Sequence, residues 1–188
     1  MRQAQKLGER LQGEEIKFLY CSPFLRTAQT AHQVATVLDL PVRVEPGLGE
    51  CLLKRLYDKM PKLRSPQELK EWHDMPLIDA TYTSKWALKY PESYKEVFER
   101  CKLVFREMAE RHKQGDVLLV AHGLPLEYMA KAAAPHAFKQ GNMTYCCLTE
   151  CIQSEGQWSF GAFMEDGFLE ERQDMTDAKA QEALWKSS

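Results

Sequence analysis

An apolar run, Leu118-Leu119-Val120-Ala121, ends abruptly at His122-Gly123. Gln114-Gly115-Asp116 breaks the chain just before it. A short, continuous apolar run between such breaks fits a strand buried on both faces. Strands of that kind belong to parallel sheets covered by helices, and open sheets of this class place their chemistry at the strands' carboxyl ends. An imidazole is therefore expected at one such end. A second segment, Cys21-Ser22-Pro23-Phe24-Leu25-Arg26-Thr27-Ala28-Gln29-Thr30-Ala31, follows another apolar stretch and carries Arg26. A histidine and an arginine from two strand ends can flank one phosphate. No histidine precedes His32, so an earlier strand contributes none.

The rest of the chain alternates between the two periodicities. Residues 2–12 read as a helix with Ala4, Leu7 and Leu11 on one face, and Ile16 to Tyr20 as a strand. Ser22 is expected to cap the next helix, with Pro23 at its first position and Ala28, Ala31, Ala35 and Leu38 on its inner face. Residues 41–45 alternate as a strand that Pro46-Gly47 stops. Within 47–90 the one clear signal is Ser65-Pro66-Gln67-Glu68, a capping box opening a helix through Trp72. The remainder, with Trp86 and Tyr90, reads as a lid or insertion over the sheet edge. Pro91-Glu92 opens the strongest helix, whose apolar face is Tyr94, Val97, Phe98, Cys101, Val104, Phe105 and Met108. A strand at 117–121 and a helix at 124–133 follow. Residues 145–152 and 158–163 read as an antiparallel hairpin turning at Ser154-Glu155-Gly156. The fold class expected is α/β, three layers with a mostly parallel sheet, over residues 1–170. Residues 171–188 form a charged tail that carries a last helix. Its Met175, Leu184 and Trp185 can pack on the domain or on a partner, a homodimer included.

Bulk properties narrow the function. The net charge is -2 with no basic run, which argues against nucleic acid. No apolar run approaches a membrane span and the first residues are not a signal peptide, so a soluble, cytoplasmic protein is expected. Cys146, Cys147 and Cys151 lack the paired spacing of a zinc site, and reduced, mostly buried thiols are expected for all six cysteines. No metal and no cofactor is assigned.

Three residues are candidates for chemistry. A lone histidine is more often structural, but His122 ends a buried strand, Gly123 lets a ligand approach the backbone, and a helix amino terminus follows. Arg26 sits in the first turn of a helix directly after a strand, where a guanidinium can bind phosphate through two parallel hydrogen bonds. Gln29 and Thr30 follow as packing or supporting groups. Glu50 lies just past a strand end and can protonate a leaving oxygen, provided burial or a nearby negative charge raises its pKa. Glu45 competes for that role.

Together these segments resemble the histidine phosphatase superfamily, the phosphoglycerate mutase-like fold. S-P-x-x-R-x-x-Q-T-A at Ser22–Ala31 and V-A-H-G at Val120–Gly123 look like two of its active-site motifs. Arg2-Gln3-Ala4 to Leu7-Gly8 looks like the helix after its active-site loop. Val42 to Leu48, Ser65 to Trp72 and Pro91 to Cys101 resemble the branch formed by the phosphatase domains of suppressor-of-T-cell-receptor-signalling proteins. The resemblance runs from about residue 2 to about residue 165. It implies a phosphomonoester hydrolase acting through a phosphohistidine, with Arg26 binding phosphate, Glu50 donating a proton and His122 contacting the transferring group. The nucleophile of the family lies in an R-H-G motif on a first, central strand. This chain has no R-H-G motif, so a domain truncated at its amino end is expected. It would be inactive as it stands and open along the edges that the strand would cover. The substrate implied is a phosphorylated small molecule or a phosphoprotein. A catalytically dead phosphate-binding or interaction module is the competing reading, and a mutase a third.

Overall fold

A computed structural model describes residues 2–172. The expected last helix, with Met175, Leu184 and Trp185, falls outside the described residues. The elements are α1 (Arg2–Arg10), β1 (Ile16–Cys21), α2 (Leu25–Leu38), β2 (Val42–Val44), α3 (Pro66–Trp72), α4 (Tyr94–Arg111), β3 (Asp116–Val120), α5 (Gly123–Ala133), β4 (Cys151–Ser154) and β5 (Gln157–Phe160).

The main sheet is wholly parallel, in the order β2-β1-β3. Side chains of β1 alternate between its faces, as the pleat dictates. Leu19 and Cys21 pack with α1 and α2, whereas Phe18 and Tyr20 pack with α4 and α5. The result is the three-layer α/β arrangement expected. Gly8 on α1 presses against α2, where an added Cβ would stand 2.9 Å from Val37 Cβ. Helix α2 stops at Asp39, which takes a left-handed conformation at φ 53° two residues before Pro41.

Several boundaries move for identifiable reasons. Ser22 does not cap α2. Its hydroxyl is taken by His122 Nε2 at 2.7 Å, and Phe24 takes the N-cap position in extended conformation. Helix α5 opens one residue early, at Gly123, with His122 itself at the N-cap. The box at Ser65 and Glu68 is present, and a second one, Ser93 with Glu96, fixes the start of α4 three residues past Pro91. The hairpin is shorter than its pattern. It turns at Glu155-Gly156, both at positive φ as a tight two-residue hairpin demands, and forms a separate two-stranded sheet. Residues 145–150 stay outside it, since Cys146 sits at φ 62° and Leu148 makes only an isolated bridge to Glu165.

Among the described residues β3 pairs only with β1. It lines a cavity of about 2360 Å³, which residues 140–153 also line. Val117, Leu118 and Leu119 are consequently half-buried, although their composition is that of a central strand.

Candidate functional site

Parallel pairing sets Cys21 beside Val120 and Val44 beside Cys21. All three strands therefore end on one rim. From that rim the chain enters α2 after β1, α5 after β3, and a single 3₁₀ turn, Pro46–Leu48, after β2. Arg26, His122 and Glu50 each stand on one of these three connections.

The structure brings those three side chains together. Arg26 Nη2 donates to Glu50 Oε2 at 3.0 Å and lies 3.0 Å from His122 Nδ1. Glu50 Oε2 is 3.2 Å from the same Nδ1. Glu50 Oε1 accepts from the Cys51 backbone N–H at 2.9 Å. Phe24 braces the group. Its ring meets the His122 ring edge to face at 4.9 Å, and the Arg26 guanidinium sits over it at 4.8 Å. Arg26, Glu50 and His122 line the cavity, with Gln29, Thr30 and Tyr57 beside them.

The protonation states follow from the surroundings. Burial lowers the His122 pKa; Glu50 opposes that and the Arg26 charge adds to it, so the imidazole is neutral at pH 7. A neutral ring facing an Arg26 donor at Nδ1 carries its proton on Nε2. That proton points at Ser22 Oγ, 2.7 Å away. Burial also pushes the Glu50 carboxyl up, but His122, protonated in the acid range where Glu50 titrates, together with the Cys51 N–H and Arg26, outweighs it and holds the group at about 2. The pKa of Glu50 is thus lowered, where proton donation needs it raised.

Ser22, His122 and Glu50 have the connectivity of a hydrolase triad. The hydroxyl, however, is fully buried and lies off the cavity wall. Its role is to fix the imidazole. Ser22→Ala should leave Nε2–H without a partner and cost about 1–3 kcal/mol of stability. Urea unfolding checks this, and an unchanged midpoint would show that the contact is incidental.

Glu45, the competing carboxylate, is separated from the site. It is 1 % exposed and accepts from Tyr82 Oη, Ser84 Oγ and the Gly47 N–H. It anchors the 79–86 segment to the end of β2. All six cysteines are free thiols. Burial pushes the Cys51 thiol, next to Glu50, well above its ordinary value, so it is no thiolate nucleophile. Sequence reading missed Ser22 and Phe24 as site residues. Both lie within the motif that carried Arg26, and their role depends on where β3 ends.

Comparison with known proteins agrees with this architecture. A model of the histidine phosphatase superfamily (branch 1) matches residues 1–166. Mouse ubiquitin-associated and SH3 domain-containing protein B is 35% identical over 138 residues, covering 66% of this chain and 21% of that protein. The chain thus spans about a fifth of that relative. Phosphoserine phosphatase 1 of Hydrogenobacter thermophilus is 26% identical, covering 85% of this chain and 66% of that one. The crystal structure of the ecdysone phosphate phosphatase from Bombix mori, in complex with tungstate, superimposes with a TM-score of 0.70 at 23% identity. It covers 87% of this chain and 69% of the other. No helix among the described residues is long and apolar enough to cross a membrane. With the family's sequence pattern running through most of the chain and its fold reproduced around the three strand ends, the chain belongs to the histidine phosphatase superfamily.

Proposed function

We propose that this chain holds the phosphate group of a phosphomonoester between Arg26 and His122, and that it supplies the acid side of a phosphohistidine reaction whose nucleophile lies on a further strand. The observation that carries the reading is the convergence of Arg26, Glu50 and His122 within 3.2 Å on one cavity wall. A phosphate dianion entering there competes with Glu50 for the guanidinium. Glu50 then loses its cation and gains a negative neighbour, and its pKa rises. The carboxyl that is ionised in the empty site becomes a proton donor when the site is filled. His122 Nδ1 faces the same point and stabilises the transferring group.

Transfer needs a nitrogen nucleophile that attacks phosphorus as the ester P–O bond breaks. The leaving oxygen takes the Glu50 proton, and water afterwards cleaves the P–N bond. Among the described residues the one imidazole beside Arg26 is His122, which this reading assigns to stabilising the transferring group, so the nucleophilic nitrogen is assigned elsewhere and the chain as it stands is read as binding without turnover. The relatives named for phosphoserine and for ecdysone phosphate act on small molecules. A phosphorylated small molecule or a phosphoprotein is the substrate class that this supports.

Hydrolysis of p-nitrophenyl phosphate and binding of tungstate test the reading together. The 188-residue chain is compared with one carrying an added Arg-His-Gly strand ahead of residue 1. Both should bind tungstate, and only the extended chain should turn over. Binding in both with turnover in neither would favour a phosphate-binding module. Failure of both to bind would overturn the site.

A further inference from the structure

Arg100 interrupts the inner face of α4, between Val97 and Cys101, and is 7 % exposed. Burying an unpaired guanidinium costs several kcal/mol. Here every donor is used. Nε donates to Glu92 Oε1 at 2.7 Å, and Nη2 donates to Glu92 Oε2 at 2.9 Å. The second Nη2 proton reaches the Glu50 carbonyl at 3.2 Å. Nη1 donates to the carbonyls of Gly47 at 2.9 Å and Gly49 at 3.0 Å. Glu92 closes the clamp. Its Oε2 accepts from the Leu52 N–H at 3.2 Å, and its own N–H donates to the Leu52 carbonyl at 2.8 Å.

One buried ion pair therefore pins both ends of the 47–52 loop, and the loop's free side presents the Glu50 carboxylate to Arg26 and His122. Packing restricts the loop as well. A Cβ on Gly47 would stand 2.6 Å from Val104 Cγ2, and one on Gly49 would stand 2.4 Å from Leu88 Cδ1. Replacing a buried ion pair by apolar groups of like volume is often neutral for stability. Stability alone thus does not account for a guanidinium whose donors are spread over three carbonyls of one loop.

We propose that Arg100, oriented by Glu92, is the positioning residue for Glu50: it sets where the carboxylate meets the cavity. The inference rests on the phosphate-site reading only for what Glu50 is positioned to do. Its test reads Glu50 directly, by carbon-detected NMR titration of the carboxyl. The groups facing that carboxyl are Arg26 from α2, His122 at the head of α5, Cys51 and Tyr57 from its own loop, and Cys101 from α4, where Arg100 holds the Glu50 backbone carbonyl. In folded Arg100→Met the loop is released, and the Glu50 titration should move up by about one pH unit or more. Glu92→Ala should do the same. Glu92→Gln keeps an acceptor for Arg100 and should restore a titration close to that of the parent.

Met108→Ala, a cavity in the same helix away from the 47–52 loop, should lower the melting temperature without moving Glu50. Should Arg100→Met fail to fold, Arg100→Lys carries the readout, because an ammonium cannot reach three carbonyls and a carboxylate at once. An unchanged Glu50 titration in a folded Arg100 variant overturns the inference. So does a shift of the same size in Met108→Ala. Absence of tungstate binding would overturn the functional reading and leave this one standing.

Discussion

Arg26→Ala should weaken tungstate or phosphate binding roughly tenfold or more, the equivalent of the ~1.5–3 kcal/mol of hydrogen bonding to a charged group. The guanidinium touches both other members of the cluster, so its loss has a second effect. Glu50 would keep the Cys51 N–H and the imidazole but lose its one full cation. Its pKa then rises, and part of the stability held in the Arg26–Glu50 pair disappears. Arg26→Lys separates the two effects. A lysine restores charge beside Glu50, yet it cannot grip a phosphate through two parallel donors. Stability should recover in that variant more than affinity does. Calorimetric titration alongside thermal melting measures both, and parent-like affinity in Arg26→Ala would remove Arg26 from the site.

Acid should destabilise this chain in two stages, first through His122 below its ordinary pKa and then through Glu50 below about 4.5. Two groups act in the same direction. His122 has a pKa lowered by burial, so its contribution is complete above its ordinary value of 6.5 and is lost as pH falls below that. Glu50 lies at about 2 against an ordinary 4.5, so its contribution is complete above 4.5 and is lost between there and 2. The Glu50 share alone is about 3 kcal/mol at most. Urea unfolding at pH 7, 5.5 and 4 should show a steady fall in midpoint. In Glu50→Gln with His122→Gln the fall should be shallower over the same range. Parallel curves for parent and variant would place the acid sensitivity elsewhere.

How far these features could be read from sequence depends on how local their causes are. The α4 stripe, the Ser65 box and the apolar β3 run are set within a few residues, and each forms where its pattern put it, although Tyr94 at the head of the α4 stripe is exposed and β3 is only half-buried. The placement of Ser22 failed because a distant strand end claims its hydroxyl for His122, leaving Phe24 as the N-cap. Glu45 and Glu50 were indistinguishable in sequence. Only folding shows that one carboxylate is enclosed by Tyr82 and Ser84 while the other meets Arg26. Arg100 was hidden by the very regularity of its helix. A single charge in an apolar stripe reads as an interruption. The signal available was its combination with Glu92 eight residues earlier, at the foot of the same helix.

The cavity that β3 lines also sets how strongly its cations act. It is wide enough to admit water up to Arg26, which is a quarter exposed. Coulombic attraction falls in proportion to the surrounding dielectric, about fourfold between a value near 20 and bulk water. A segment laid against β3 would displace that water without touching Arg26, Glu50 or His122. The same three side chains would then attract a phosphate more strongly and feel added salt less. In this chain the occupancy of a strand position is therefore also a control on the dielectric of the site.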